Sequence, residues 1–371
     1  MKQIQELYQK WQSMQPLSSE DEERLRRKFM LDFNFNSNHI EGNILTYGQT
    51  EVLLLLGEVV GPAKMKDLEE MKAHNVCLKM MEAEALGDHP LTEGFIRNLQ
   101  HTMLREDYEM FRQLPGGIQT GYVARAGCYK TRPNSVITPT GECFDYASPE
   151  ETPAFMHDLV AWYNLVADTD EYSPIELASL FHYRYIRIHP FEDGNGRIAR
   201  LLMNFILLRK RYPMIVVRSS NKHTYLNALR EADARVGSFP SDGANATREH
   251  IKPFTTYLEK LLAGELMQNI AFVEGNASRI WWYNGELISF RSLRTPRLLQ
   301  ILADNPRVTN AELSSLLGIN TSAVQKQLAT LSGKGYIVKE SNPKRWRVIA
   351  LPTTSKGGNT NEGGQTNTVE K

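Results

Sequence analysis

Cysteine is scarce in this chain. Cys77, Cys128 and Cys143 are the only three in 371 residues, an odd set without metal-knuckle spacing, which excludes a disulfide framework and fits a reducing compartment. Net charge is missing as well. Lys and Arg total 43 against 43 Asp and Glu, so no global field draws the protein to nucleic acid or an anionic membrane, and any such role must be local. No apolar run reaches membrane-spanning length, and Met1 to Gln15 is amphipathic without the apolar core of a signal peptide. The expectation is a soluble, cytoplasmic protein of two domains, or of one large domain with an appendage.

What is present is concentrated in one run. Residues 188 to 200 read Ile-His-Pro-Phe-Glu-Asp-Gly-Asn-Gly-Arg-Ile-Ala-Arg. Before it, Ser173-Pro174-Ile175-Glu176 is a capping box with Pro at the first helical position, launching a helix through Leu177, Leu180, Phe181 and Ile188. Pro190 closes that helix near His189. Gly194-Asn195-Gly196 then makes a turn that Cβ atoms would crowd. Helical spacing resumes at Ile198, Leu201, Leu202, Phe205, Ile206 and Leu208. The expected local architecture is helix, anion-sized loop, helix.

Such a loop offers backbone N–H groups at the start of the second helix, where the dipole favours negative charge. Arg197 and Arg200, three residues apart, reach the same side. Basic residues at this end oppose the dipole, so a phosphate ligand explains them better than local stability does. Asp193 beside a polyphosphate is a hard oxygen ligand suited to Mg²⁺. His189 is the only group in the run whose ordinary pKa lies near neutrality, as a general base for a hydroxyl requires.

The run resembles the signature of the Fic-domain family, His-x-Phe-x-(Asp/Glu)-Gly-Asn-(Gly/Lys)-Arg-x-x-Arg, at every specified position. The resemblance implies a protein adenylyltransferase that moves AMP from ATP to a Ser, Thr or Tyr hydroxyl of a protein target, with Mg²⁺ as cofactor. Carried over by residue, His189 is the base, Asp193 the metal ligand, and Gly194, Asn195 and Gly196 the phosphate cradle. Arg197 binds the α/β-phosphate region and Arg200 the γ-phosphate. Upstream, Ser37 to Gly42 resembles the family's inhibitory motif, (Ser/Thr)-x-x-x-Glu-(Gly/Asn), in which Glu41 competes for Arg200. Read alone, Glu41-Gly42 is a helix stop. Residues 115–141 are rich in Gly and Pro, and by resemblance form a flap that pairs with the target, placed at Val136, Ile137 and Thr138. The family's adenine-pocket segment resembles the helix at 223–233, which brings in Asp233 and Tyr225, although core packing and an ordinary surface charge are their plainer readings.

The remaining pattern is helical, with a small unit at the end. Thr309-Asn310-Ala311-Glu312 is a capping box, Gly318 a turn, and Thr321 the start of a second helix with Val324, Leu328 and Leu331 inward. A hairpin turning at Pro343 follows, which makes a winged helix-turn-helix domain exposing Ser322, Gln325, Lys326 and Thr330, with Lys344, Arg345 and Arg347 on the wing. The expected fold class is mainly α: a helical Fic-type bundle with a small β-hairpin flap, plus that winged domain. The expected division is an N-terminal helical region at 1–88, a catalytic core at 89–266, a linker at 267–285, the winged domain at 286–350 and a disordered tail at 351–371.

Other readings differ in class. One is a DNA-binding regulator with the nucleotide site as sensor. Others are a Fic-like kinase, whose branch carries Ala and Lys where Gly194 and Gly196 stand, and a phosphocholine transferase. Self-modification, DNA through the winged domain and a homodimer are candidate partnerships, and a membrane is not.

Overall fold

The computed structural model describes residues 2–113, 119–134, 136–137, 143–274, 279–283, 286–341 and 344–352. It divides into two compact units, Met1–Ile270 and Ala271–Lys371. Among the described residues no helix is long and apolar enough to cross a membrane. Cys77 and Cys128 are free thiols.

The first unit opens with α1 (Lys2–Ser13), α2 (Ser19–Ile40), α3 (Tyr47–Leu56), α4 (Met65–Leu86) and α5 (Glu93–Leu104). Ser18 caps α2, a Thr46–Gln49 capping box starts α3, and Thr92 caps α5, so each start has a local cause. Two short hairpins follow. In the first, β1 (Tyr108–Gln113) pairs antiparallel with β2 (Gln119–Ala124), and in the second, β3 (Val136–Ile137) pairs with β4 (Cys143–Phe144). Then come α6 (Thr152–Val166), α7 (Pro174–Ile188), α8 (Asn195–Arg209), α9 (Lys222–Val236), α10 (Pro240–Ala244) and α11 (Lys252–Val273).

The centre of this unit is α8. Its Ile198, Leu201, Leu202, Met203, Phe205 and Ile206 are all fully buried, and the helix packs against α7 and α4, where Leu180, Phe181, Met71 and Leu78 are buried too. A helix buried on every side, its site-forming Asn195, Arg197 and Arg200 included, is central. The second half of α2 is buried yet polar: Asp32, Asn34, Asn36, Ser37 and Asn38 all face inward. Partners make that tolerable. Asp32 meets Lys28 at 3.1 Å, Arg218 at 3.1 Å and the Tyr47 hydroxyl at 2.9 Å, and Asn36 Oδ1 accepts from the Ser219 amide at 2.9 Å. Burial works against the Asp32 charge, but Lys28 and Arg218 outweigh it and bring its pKa down to about 2. The charged side chains thus fasten α2 to the body of the unit. In α6 the inward residues are Met156, Leu159 and Tyr163. Trp162 is half-buried and carries the Arg184 guanidinium over its ring at 4.1 Å.

The second unit contains β5 (Ile280–Tyr283), β6 (Glu286–Ser289), α12 (Arg294–Asp304), α13 (Asn310–Leu317), α14 (Thr321–Gly333), β7 (Ile337–Ser341), β8 (Lys344–Val348) and β9 (Leu351–Pro352). Its core gathers Leu298, Leu302, Leu313, Val324, Leu328, Leu331 and Ile337. The Thr309–Glu312 capping box starts α13, and Gly318 at φ +62° makes the turn into α14. With the β7–β8 hairpin this is a winged helix-turn-helix. The stretch 267–285, expected as a linker, instead carries the end of α11 and strand β5, because Ile280 to Tyr283 is an apolar, aromatic run that pairs with β6 on one side and β9 on the other. The expected tail likewise begins with paired Leu351–Pro352. Its remainder lies outside the described residues.

Candidate active site

The site is built where α7 ends and α8 begins. The Ser173–Glu176 capping box starts α7, and His189 ends it in a left-handed conformation, φ 51° and ψ 62°. A residue with a Cβ adopts that rarely, so surrounding contacts must hold it. Two amides do so. Asn195 Oδ1 accepts from the Phe191 amide at 3.0 Å while its Nδ2 donates to the Phe191 carbonyl at 2.7 Å, stapling the loop closed. Asn134 Nδ2 lies 2.6 Å from His189 Nδ1 and 3.1 Å from the carbonyls of His189 and Phe191, its two hydrogens shared among the three. The Tyr146 ring stacks on the imidazole, centroids 4.2 Å apart and planes 13° from parallel.

Gly194 precedes α8 at φ +86°, a conformation that needs glycine. At Gly196 the requirement is space: a Cβ would stand 2.5 Å from Glu41 Oε1. The Asp193 side chain reaches toward β1. Its Oδ2 accepts from the Tyr108 hydroxyl at 2.6 Å and from Arg197 Nη2 at 3.2 Å, and the buried Gln100 amide donates to its carbonyl at 3.2 Å. Burial opposes the Asp193 charge, yet Arg197 and the Tyr108 hydroxyl hold its carboxyl below the usual range. It is therefore ionised and able to bind a hard cation. Among the described residues no cluster of three acidic, His or Cys side chains could hold a metal by itself. One carboxylate supplemented by substrate phosphates is the arrangement Mg²⁺ commonly accepts. Arg197 is buried and its Nε has no hydrogen-bond partner among the described residues, an orphaned donor that an anion would satisfy.

Arg200 is 1% exposed and held on three bonds. Its Nε donates to Ser37 Oγ at 3.0 Å, and its Nη2 donates to the Ser37 carbonyl at 2.9 Å and to Glu41 Oε1 at 2.7 Å. Behind Ser37 stands fully buried His74, Nε2 3.1 Å from Ser37 Oγ and Nδ1 2.6 Å from Asn34 Oδ1. Asn34 Nδ2 donates to the Met30 carbonyl and to Asn75, which fixes its oxygen toward His74. The network thus assigns the His74 proton to Nδ1 and the Ser37 proton to His74, leaving a Ser37 lone pair for Arg200. Burial, with Arg197 and Arg200 adding to it, keeps His74 well below the usual histidine range.

The loop therefore brings His189, Asp193, Gly194, Asn195, Gly196, Arg197 and Arg200 together, and α2 brings Glu41 to them. Asp233 is engaged elsewhere, where its Oδ1 accepts from the Tyr183 hydroxyl at 2.6 Å and from buried Arg187 at 3.3 Å. Burial raises its pKa despite those partners. Tyr225 is buried with its hydroxyl 2.8 Å from His182 Nε2, the packing role its spacing suggested. Of the flap residues, Val136 and Ile137 form β3, while Thr138 lies outside the described residues. Asn134, Lys130, Tyr108, Tyr146 and His74 were missed by sequence reasoning, because none carries a motif. Only the Lys130–Asn134 spacing ahead of the flap could have drawn attention.

Comparison with known proteins places this site in a family. The Fic/DOC family profile matches residues 90–207, and a winged helix-turn-helix DNA-binding profile matches residues 293–338. Protein adenylyltransferase fic-1 of Caenorhabditis elegans is 25% identical over 260 residues, 69% of this chain and 44% of that protein. Protein adenylyltransferase Fic of Nematostella vectensis is 31% identical over 199 residues, 54% of this chain and 42% of that protein. Both matches span less than half the relative's own length. Among solved structures, a Fic-family protein from Desulfovibrio desulfuricans shares the fold at TM-score 0.54 and 19% identity, covering 96% of this chain and 95% of its own. A Fic domain containing signaling protein from Bacteroides thetaiotaomicron superposes at TM-score 0.69 and 56% identity, over 74% of this chain and 97% of its own. With the signature run folded into a phosphate-sized loop and a relative this similar matched over nearly its whole length, the chain belongs to the Fic/DOC family.

Proposed function

We propose that this chain is a protein adenylyltransferase, transferring AMP from ATP to a Ser, Thr or Tyr hydroxyl of a protein target, itself included. The observation that carries the reading is the convergence of His189, Asp193 and Arg197 on one helix N-terminus, with Arg197 Nε buried and, among the described residues, unpartnered. Relatives named adenylyltransferases at 25% and 31% identity add to it. The α8 N-terminus and Arg197 bind phosphate oxygens. Asp193 would hold Mg²⁺, which supplies charge neutralisation on the phosphates. The acceptor oxygen bonds to the α-phosphorus, the bond from that phosphorus to the bridging oxygen breaks, pyrophosphate leaves, and His189 takes the hydroxyl proton. Glu41 restrains this by holding Arg200, which would otherwise seat the γ-phosphate. The β3 edge receives the target by main-chain pairing.

Incubation of wild type, Glu41→Gly and His189→Ala with Mg²⁺ and α-labelled or γ-labelled ATP tests the proposal. It requires α-label on protein, more in Glu41→Gly and none in His189→Ala. Label transferred only from the γ-phosphate would make the protein a kinase and overturn it.

The winged domain supports a second role, DNA binding, on the strength of its family match at residues 293–338. Exposed Gln325 and Lys326 on α14 suit it, but Arg345 and Arg347 both pair with Glu340, so the wing offers less free positive charge than its sequence suggests. A gel shift with the full chain that is absent at low salt removes this role.

A further inference from the structure

We infer that Asn134, held in place by Lys130, fixes the proton of the neutral His189 ring on Nε2 and covers the lone pair at Nδ1. The inference rests on His189 being the base of the proposed reaction. Its own content is which ring nitrogen holds the lone pair, and what covers it.

Asn134 is buried, and its two ends face different chemistry. Oδ1 accepts from Lys130 Nζ at 2.9 Å. Lys130 has no acceptor to offer, so the oxygen must be on that side. On the other side, Nδ2 faces two backbone carbonyls, those of His189 and Phe191, both at 3.1 Å, which can only accept. Both sides agree, and the amide cannot be flipped. His189 Nδ1, 2.6 Å from the same Nδ2, shares that group's two hydrogens with the carbonyls and faces a nitrogen that cannot accept, so it holds a lone pair there. A ring nitrogen that accepts carries no proton, so the neutral ring is protonated on Nε2. The stapling amide of Asn195 has the same polarity, with Nδ2 at 3.3 Å from the same nitrogen.

Lys130 is itself anchored. Its Nζ also donates to the Ile188 carbonyl at 3.0 Å, and its backbone amide donates to the Pro190 carbonyl at 2.8 Å. It thus grips the chain on both sides of His189 while pinning Asn134. Burial pushes its pKa down to about 8, a cost that a lysine serving no contact would not be kept to bear.

The consequence concerns the reaction. The only lone pair of the neutral ring is at Nδ1, and an N–H donor stands on it. Before His189 can take a hydroxyl proton, that donor has to leave Nδ1. Asn134 lies two residues before β3, so the segment proposed to receive the target is continuous with the residue that must yield to it.

The test is nitrogen NMR of the full chain labelled with ¹⁵N-histidine, the His189 signals being those lost in His189→Ala. Wild type is expected to show a proton on Nε2 and an acceptor Nδ1 in the neutral ring. In Asn134→Asp, nearly the same size, a carboxylate faces Nδ1, so the proton moves there and the ring ionises about one pH unit or more higher. Asn134→Ala, which leaves only the longer Asn195 contact, is expected to weaken the bias without that rise. A wild-type ring protonated on Nδ1, or an Asn134→Asp spectrum matching wild type while circular dichroism shows it folded, overturns the inference. These readouts need no catalysis, so they separate it from the adenylyltransferase reading, which the ATP-label experiment decides.

Discussion

Replacing Glu41 by glycine should tighten ATP binding and leave ADP binding alone. Arg200 Nη2 donates to Glu41 Oε1 at 2.7 Å, and in the proposed reaction a γ-phosphate takes that same donor. A charge-assisted hydrogen bond contributes about 1.5–3 kcal/mol. The Glu41 side chain is 38% exposed, so water screens its end of the pair and the lower figure applies. About 1.5 kcal/mol corresponds to roughly tenfold in affinity. Arg200 keeps both bonds to Ser37 in the variant, so the buried guanidinium is not orphaned and the fold survives. Calorimetry with ATP and ADP, each with Mg²⁺, is the assay. ADP has no γ-phosphate to place on Arg200, so its affinity should change by less than about twofold. Glu41→Gln, which keeps the shape and drops the charge, should fall between. Equal tightening of ATP and ADP, or none of ATP, would refute the competition, since either result means Arg200 does not serve the terminal phosphate.

Other perturbations probe neighbouring contacts. A methyl group at Gly196 would meet Glu41 Oε1 at 2.5 Å and Arg200 Nη1 at 3.2 Å. Gly196→Ala should therefore dislodge Glu41 yet crowd the phosphate seat, so nucleotide affinity should fail to rise as it does in Glu41→Gly, again by calorimetry. Asp32→Asn removes the buried carboxylate shared by Lys28 and Arg218 and should cost about 3–5 kcal/mol in urea unfolding. Because the folded Asp32 pKa is depressed to about 2 from 3.8, its contribution is present above the unfolded value. It is lost as pH falls from near 4 through 2, a change of about 2 kcal/mol that the variant should not show. At Gly243 a Cβ would meet Arg187 Cβ at 2.6 Å and Cγ at 2.7 Å, near the rigid base of a fully buried side chain. Gly243→Ala should lower stability by about 1–3 kcal/mol in the same urea assay.

The legible part of the site is the part carried by consecutive residues. Pro190, Gly194 and Gly196 dictate backbone shape within one short run, so the loop and the two helices flanking it could be read directly. Glu41 was legible only through its motif, since nothing local distinguishes it from an ordinary helix stop. The groups that complete the site come from distant segments: Tyr108 from β1, Asn134 and Lys130 from the stretch before β3, His74 from α4. Each is a common residue type whose role exists only once the chain has folded. The same limit applies to β1 itself, whose Tyr-Glu-Met-Phe-Arg-Gln has no clean alternation, and whose pairing with β2 supplies the missing cause.

Glu41 has one further property, set by where it sits. It occupies the C-cap of α2, a helix of 22 residues, where the exposed carbonyls make the end electronegative. A carboxylate there is repelled by its own helix, at a cost of about 0.3–1 kcal/mol. The guanidinium across the gap offsets that repulsion and holds it in place. Were Arg200 to turn to a nucleotide phosphate, as the proposed restraint requires, the end of α2 would disfavour the freed carboxylate. On the proposed restraint, the same helix end that carries Glu41 to Arg200 also lowers the cost of releasing it.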